Sequence, residues 1–225
     1  IGTRMATEAG LAAGDVATIR RWARVLDPYA ALFSPRVLDA HHVPESGPVL
    51  LVGNHSLYWV AEAWVAVRAV FARRGIEAPV CGLAYDLLFQ VPWFGTQLRR
   101  AGAIPAAPAA AEAALARGEL VTVYPGGDLD ACRAWPDRDK VELGGRKGFV
   151  RLALRAGVPV VPVVTHGGQH MSVVLARGDR IARAMRLTKL RVNVFPIMAG
   201  PPFGVATVLT PPLTLPAAIT VQFLP

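Results

Sequence analysis

The chain has few cysteines, few charges for its length and no long uninterrupted apolar run. Among 225 residues there are two cysteines, and charged residues make up 18%. No run of uncharged apolar residues reaches the ~18 that a membrane-crossing helix requires. The stretch 78–95 comes nearest, but Asp86, Gln90 and Pro92 interrupt it. Cys81 and Cys132 have no metal-ligand spacing and no pairing signal, so a reducing cytoplasm is the expected setting. The paired His41 and His42 lack a third ligand at a recognisable spacing and read as a solvated loop. No repeat and no dividing linker is present, which points to one domain large enough to bury a sizeable core. The absence of a Gly-x-Ser-x-Gly elbow argues against a hydrolase of that type. Phosphate-loop glycine spacing with its Lys-Ser/Thr pair is also missing. Start and end are unusual: the chain opens on Ile1 instead of Met and stops at Pro225 with no closing helix. The expectation is an upstream segment, with no leader visible here, and a clipped or disordered tail.

What the chain has in quantity is apolar side chains, 53%, and positive charge, +8 with a pI near 10.3. That balance implies attraction to an anionic surface. Aromatic residues accompany apolar runs and do not interleave with Lys and Arg, which favours acidic lipid over nucleic acid. Residues 15–33 carry Val16, Ile19, Trp22 and Val25 at helical spacing with Arg20, Arg21 and Arg24, and the pattern breaks near Pro28. This is an amphipathic helix that either lies on a membrane or packs on the domain. We take 1–40 as an N-terminal helical segment and 41–225 as one α/β folding unit.

Within that unit, strands are expected at 50–53, 78–84, 120–124, 158–164 and 190–195, the last from the alternation Leu190, Val192, Val194. Helices are expected at 59–74, 97–100, 108–117 and 146–156, with Gly118 and Gly157 as stop signals. Strands alternating with helices predict an α/β fold, a single domain whose central, largely parallel (mixed) sheet is flanked by helices. The proline-rich apolar tail from residue 201 is expected to lie extended over the core or on the membrane.

Two strand ends carry the chemistry. The first runs from Pro48 into Gly53-Asn54-His55-Ser56, and a histidine at the edge of an α/β sheet can act as a general base near neutral pH. Glu62 is the next carboxylate and could orient the imidazole. In continuous helix seven residues rise about 10 Å, so contact requires His55 in a loop that folds back before the helix becomes regular. The second strand end is Tyr124-Pro125-Gly126-Gly127-Asp128, where backbone N–H groups of Gly126 and Gly127 could form an oxyanion or anion nest. Arg133, Arg146 and Lys147 could neutralise a phosphate. No metal site is expected.

These blocks resemble the lysophospholipid/glycerolipid acyltransferase superfamily, the glycerol-phosphate acyltransferase type, and especially its branch close to diacylglycerol acyltransferases. The family's Asn-His block is matched by Asn54-His55-Ser56-Leu57-Tyr58-Trp59-Val60-Ala61-Glu62. Later blocks are matched by Gly102-Ala103-Ile104-Pro105-Ala106, Tyr124-Pro125-Gly126-Gly127, Gly145-Arg146-Lys147-Gly148-Phe149 and Val158-Pro159-Val160-Val161-Pro162-Val163. The likeness covers 43–169. The family's acid would fall at Val60, so the role passes to Glu62 on a longer spacing, and the third block lacks the family's Glu.

The resemblance implies an O-acyltransferase that needs no cofactor. It would move a fatty acyl group from acyl-CoA or acyl-carrier protein to a hydroxyl of a glycerolipid or lysophospholipid acceptor. His55 would be the base and Glu62 its orienting acid. Gly126, Gly127, Arg133, Arg146 and Lys147 would hold the oxyanion or phosphate, and Trp59, Trp64, Phe89 and Trp93 would line an acyl channel. The expected partners are the thioester donor, the lipid acceptor and an anionic membrane, with the chain peripheral on the cytoplasmic face. A non-catalytic lipid-binding homologue of the same fold is the alternative.

Overall fold

Val49, Leu51 and Leu120 face one side of the sheet, while Leu50 and Val121, their neighbours in the chain, face the other, and all are buried. Strands covered on both faces need apolar side chains at successive positions, which is why these runs lack polar alternation. The computed structural model describes residues 14–56 and 59–225. Its strands are β1 (Arg36–Leu38), β2 (Val49–Gly53), β3 (Val80–Ala84), β4 (Ala103–Pro105), β5 (Leu120–Val123), β6 (Val160–His166), β7 (Val173–Ala176), β8 (Ile197–Gly200), β9 (Gly204–Thr207) and β10 (Thr220–Phe223). Among the described residues a seven-stranded sheet runs in the order β1-β10-β6-β2-β5-β3-β4, and β7-β8-β9 form a second, smaller sheet. β6, β2, β5, β3 and β4 are mutually parallel, and β10 joins β6 antiparallel. The fold is therefore a single-domain α/β structure with a mostly parallel central sheet.

The helices are α1 (Val16–Ala31), α2 (Trp59–Arg74), α3 (Phe94–Arg100), α4 (Pro108–Ala116), α5 (Gly127–Ala131), α6 (Gly148–Ala156) and α7 (Asp179–Ala184). α1 and α2 supply Ile19, Ala61, Val65 and Val70 to the core on one face of the sheet. α4 and α6 supply Ala111, Leu115 and Leu152 to the other. Asp15 starts α1 by accepting from the Ala17 N–H at 3.1 Å and the Thr18 hydroxyl at 2.8 Å. The helix continues through Pro28 and does not break there. It packs on the domain through Ile19 and Ala30, while Arg20, Arg21 and Arg24 are exposed. No helix of the described residues is long and apolar enough to cross a membrane.

Two expectations about the last third change. Residues 190–195 are not a strand: a 3-10 turn, Leu187–Leu190, runs into irregular chain. Asn193 is drawn away from any ladder, because its backbone N–H and side-chain amide both donate to Asp128 Oδ2, at 2.6 and 2.9 Å. Val194 is buried, so the apolar alternation there marks packing and not a sheet. The tail is more structured than an extended cover. It forms β9 and then β10, whose Val221 and Phe223 are wholly buried.

Candidate active site

β2, β5 and β6 end side by side, and being parallel they bring three loops to one edge of the sheet. That carboxyl edge is where α/β folds bind ligands. Gly53-Asn54-His55-Ser56 leaves β2 there, Tyr124-Pro125-Gly126 leaves β5, and Gly167-Gly168 leaves β6. Asn54 binds the first loop to the third. Its Oδ1 accepts from the Thr165 N–H and its Nδ2 donates to the Thr165 carbonyl, each at 2.9 Å, while the Thr165 hydroxyl donates to the Asn54 carbonyl. The amide side chain thus serves as an extra peptide group and carries the ladder one step past β2.

His55 follows on that anchored residue. Its backbone N–H donates to Asp130 Oδ2 at 2.9 Å. In the ring, Nδ1 lies 3.1 Å from the Ser56 carbonyl oxygen. A carbonyl can only accept, so this bond places the proton on Nδ1 and leaves the Nε2 lone pair available. The Tyr124 ring meets His55 edge to face, with centroids 5.2 Å apart. Gly53 makes this approach possible, since a Cβ there would stand 2.7 Å from the Tyr124 ring. Burial lowers the His55 pKa below the ordinary histidine value; the Ser56 carbonyl and Asp130 oppose that shift. The imidazole is therefore held neutral, the form a base needs.

Glu62 is 1% exposed in the first turn of α2. Glu62 does reach the loop, but its target differs from the expected one. Glu62 Oε2 accepts from the Ser56 N–H at 2.9 Å and the Ser56 hydroxyl at 3.1 Å. Among the described residues, Nδ1 of His55 bonds to the Ser56 carbonyl and not to Glu62. The carboxyl thus reaches the imidazole only through the backbone of one residue, Ser56, whose N–H it holds and whose carbonyl meets Nδ1. Burial pushes the Glu62 pKa up to about 7, against the hydrogen bonds from Ser56 and Thr165.

The glycine turn and its cations also differ from expectation. Gly126 lacks a Cβ because Asp130 Cβ and the Glu142 carbonyl occupy that space. Gly127 has φ +52, the left-handed region that favours glycine, and its N–H bonds to the Tyr124 carbonyl at 3.1 Å. Arg146 clamps the turn by donating to the Gly126 carbonyl at 2.8 Å and to Asp128 Oδ1 at 2.9 Å. Burial alone would raise Asp128, but Arg146 and Asn193 outweigh it and hold this carboxyl below the usual range. Arg133 is buried against Asp130 and donates to the Arg138 carbonyl at 3.1 Å. Arg133 is thus engaged within the protein, while Arg146 bridges the turn and Asp128 with its side chain still part-exposed. Lys147 is exposed and has no ion pair among the described residues.

Asp130 is the residue that sequence reading missed. It is wholly buried and accepts from the His55 N–H, the Glu142 N–H at 2.8 Å and Arg133. The available signal was its place three residues before Arg133 on the short helix after the glycine turn. Among the described residues, the expected aromatic channel is not assembled. Trp64 donates to Asp27 beside the α1–α2 core, Phe89 lies under Arg99, and Trp93 is 74% exposed. The Trp59 side chain is outside the described residues. A cavity of about 300 Å³ opens beside α5, lined by Met185, Leu187, Val192, Val194, Val208 and Leu209, with Asp128 of α5 and Cys132 just after it. His42 is structural, its Nδ1 lying 2.9 Å from the Phe223 carbonyl. Asp139, His166 and His170 bring possible ligand atoms within 4.8 Å of one another, and Asp139 there already accepts from Gln169.

The sequence and fold are similar to those of known proteins. The chain aligns with an uncharacterized protein of Mycobacterium tuberculosis at 29% identity, over 77% of this chain and 48% of that one. It is 27% identical to the Bos taurus "DGAT1/2-independent enzyme synthesizing storage lipids", over 89% and 58%. It is 25% identical to human acyl-CoA wax alcohol acyltransferase 2, over 79% and 56%. The chain thus spans about half the length of the curated relatives it matches. Its fold resembles the crystal structure of the 1-acyl-sn-glycerophosphate acyltransferase PlsC from Thermotoga maritima, with a TM-score of 0.53, 19% identity, and coverage of 92% and 67%. The acyltransferase family model matches residues 34–166, more than half of the chain. On that match, whose stretch holds His55, Glu62 and the glycine turn, the chain belongs to the acyltransferase family.

Proposed function

We propose that this chain transfers a fatty acyl group from a thioester, acyl-CoA or acyl-carrier protein, to the hydroxyl of a lipid acceptor at a membrane surface, with His55 as general base. The observation that carries this reading is the Nδ1 bond to the Ser56 carbonyl, which leaves Nε2 unprotonated at the carboxyl edge of the sheet. Nε2 would take the hydroxyl proton as the acceptor oxygen attacks the thioester carbonyl carbon. The tetrahedral intermediate would collapse with cleavage of the C–S bond, and the imidazolium would return the proton to the departing thiolate. Since the Gly127 N–H is engaged with Tyr124, the oxyanion role falls to the Gly126 N–H. One such donor is worth about 3 kcal/mol in enzymes where it has been removed. Glu62 and Asp130 are positioning residues that hold the loop on which His55 sits. The apolar cavity beside α5 would take the acyl chain, and exposed Lys147 would meet the donor's phosphates.

Arg133 is buried against Asp130 and Arg146 is paired with Asp128, which favours an acceptor without phosphate, a mono- or diacylglycerol or a long-chain alcohol. The relatives named for storage-lipid synthesis and wax alcohol acylation support that choice. The test is incubation with labelled acyl-CoA and a panel of glycerol 3-phosphate, lysophospholipids, mono- and diacylglycerols and long-chain alcohols. The expected product is a neutral lipid, lost in His55→Ala. Undiminished transfer by His55→Ala would remove the proposed base. Vesicle binding by the wild type with no thioester consumed would favour a non-catalytic lipid-binding homologue.

A further inference from the structure

We infer that the segment 175–213, and not α1, is the face by which the chain rests on an anionic bilayer; this deepens the membrane setting proposed above. Residues 175–213 contain six of the chain's Lys and Arg residues and one acid, a net +5 of the whole chain's +8. Arg180, Arg183, Arg186 and Lys189 recur every third residue along α7 and the turn after it. All four are exposed and have no ion pair among the described residues. The same segment leaves large apolar side chains half or more exposed: Met185, Leu190, Phe203, Val205, Leu209 and Leu213.

The small sheet explains how such side chains come to face outward. Register aligns Val174 with Met198 and Met198 with Ala206, and these three are buried. The next row, Val173, Ala199 and Val205, lies on the opposite face, where Val205 is 67% exposed. Phe203 sits at the tip of the β8–β9 hairpin. Apolar side chains fringed by unpaired cations fit the boundary between anionic headgroups and acyl chains. The cavity beside α5 is lined by Met185 and Leu209 of this segment, so the apolar surface is continuous with it. A second copy of the chain is a poorer occupant, because it would set four unpaired cations against four. α1 buries Ile19 and Ala30 in the domain and, with its C-cap Leu32, leaves fewer apolar side chains, Val25 and Leu32, strongly exposed.

The test is flotation of the full chain with phosphatidylcholine vesicles, with and without phosphatidylglycerol. It uses the wild type, Arg180→Ser/Arg183→Ser/Lys189→Ser, Phe203→Ser/Val205→Ser, and Val25→Ser/Leu32→Ser. The expected result is capture of the wild type by the anionic vesicles, a drop of about tenfold or more for the first two variants, and none for the α1 variant. Unchanged circular dichroism and thermal melting establish that the exposed substitutions leave the fold intact. The inference is overturned by wild-type indifference to phosphatidylglycerol, by full binding of the first two variants, or by release in the α1 variant alone. It is also overturned if light scattering shows a dimer that Phe203→Ser/Val205→Ser dissolves. Acyl transfer is assayed in parallel on detergent-dispersed substrates. Binding lost with wild-type transfer retained supports the inference. Absence of transfer by the wild type, with the same vesicle pattern, refutes the proposed activity and leaves the docking face standing.

Discussion

Gly168 lies so close to Glu62 that a Cβ on this glycine would overlap the carboxylate Oε1 and press on the Ser56 hydroxyl. Its φ is not in the left-handed region, unlike that of Gly167 at +103, so the requirement for glycine at 168 is one of space and not of backbone freedom. Gly168→Ala should displace the Glu62 carboxyl and leave the buried Ser56 N–H without its partner. An unsatisfied buried donor costs about 1–3 kcal/mol. Acyl transfer should fall at least about tenfold through kcat, since a displacement of ~1 Å at a catalytic group can cost a hundredfold. Steady-state kinetics and denaturant titration check this, and wild-type kcat in Gly168→Ala would show that Glu62 does not position the loop.

Glu62 and His55 should pull stability in opposite directions across neutral pH. The Glu62 pKa rises from 4.5 to about 7 in the folded chain. Between those values the folded state binds the extra proton, so stability is fully present below 4.5 and is lost as pH rises toward 7. His55 is shifted below its ordinary 6.5, so its contribution is present above 6.5 and is lost as pH falls. The two slopes partly cancel in the wild type. Unfolding free energy followed from pH 5 to pH 8, roughly the span on which these shifts act, should decline with pH in His55→Ala and rise with pH in Glu62→Gln. Parallel curves for the two variants would contradict both shifts.

Activity should depend less on the Glu62 charge than on its shape. Glutamine retains an oxygen able to accept from the Ser56 N–H and hydroxyl, so Glu62→Gln should keep more activity than His55→Ala, while Glu62→Ala should lose more than Glu62→Gln. The acid limb of kcat/KM should fall below the ordinary histidine pKa of 6.5, because the neutral imidazole is the active form. A limb above 6.5 would count against His55 as the titrating base.

Much of the frame was legible because apolar runs were punctuated by glycine and proline. α2 is found at the expected 59–74, and β5 ends one residue before its expected limit. The place of His55 after the first buried strand followed from the same signal. What sequence left open depends on contacts between residues far apart. A fold-back near Glu62 was foreseeable, but that its carboxyl grips Ser56 and not the imidazole is a matter of loop geometry. Arg133 and Arg146 read as phosphate ligands because cations near a glycine turn usually face solvent. Here Asp130 and the Gly126 carbonyl take them first. At 190–195 the alternation of apolar residues looked like a strand, but Asn193 turns the chain toward Asp128, 65 residues away in sequence.

The Asp130–Arg133 pair offers the sharpest separation between a structural and a substrate-binding arginine. Both side chains are buried, so removing one partner strands a charge away from water, at a cost of about 3–5 kcal/mol. Asp130→Ala and Arg133→Met should each lower stability by that order, and the double variant should recover part of the loss because neither charge then remains. Removing Asp130 takes away the 2.9 Å anchor on the His55 N–H, whereas removing Arg133 takes away only a long 3.5 Å bond to the His55 carbonyl. Arg133→Met should therefore keep a larger share of kcat than Asp130→Ala under conditions where both are folded. If Arg133 instead bound an acceptor phosphate, Arg133→Met would raise KM for phosphorylated acceptors while leaving the melting temperature unchanged. Thermal melting beside KM for a phosphorylated and a neutral acceptor decides between the two roles.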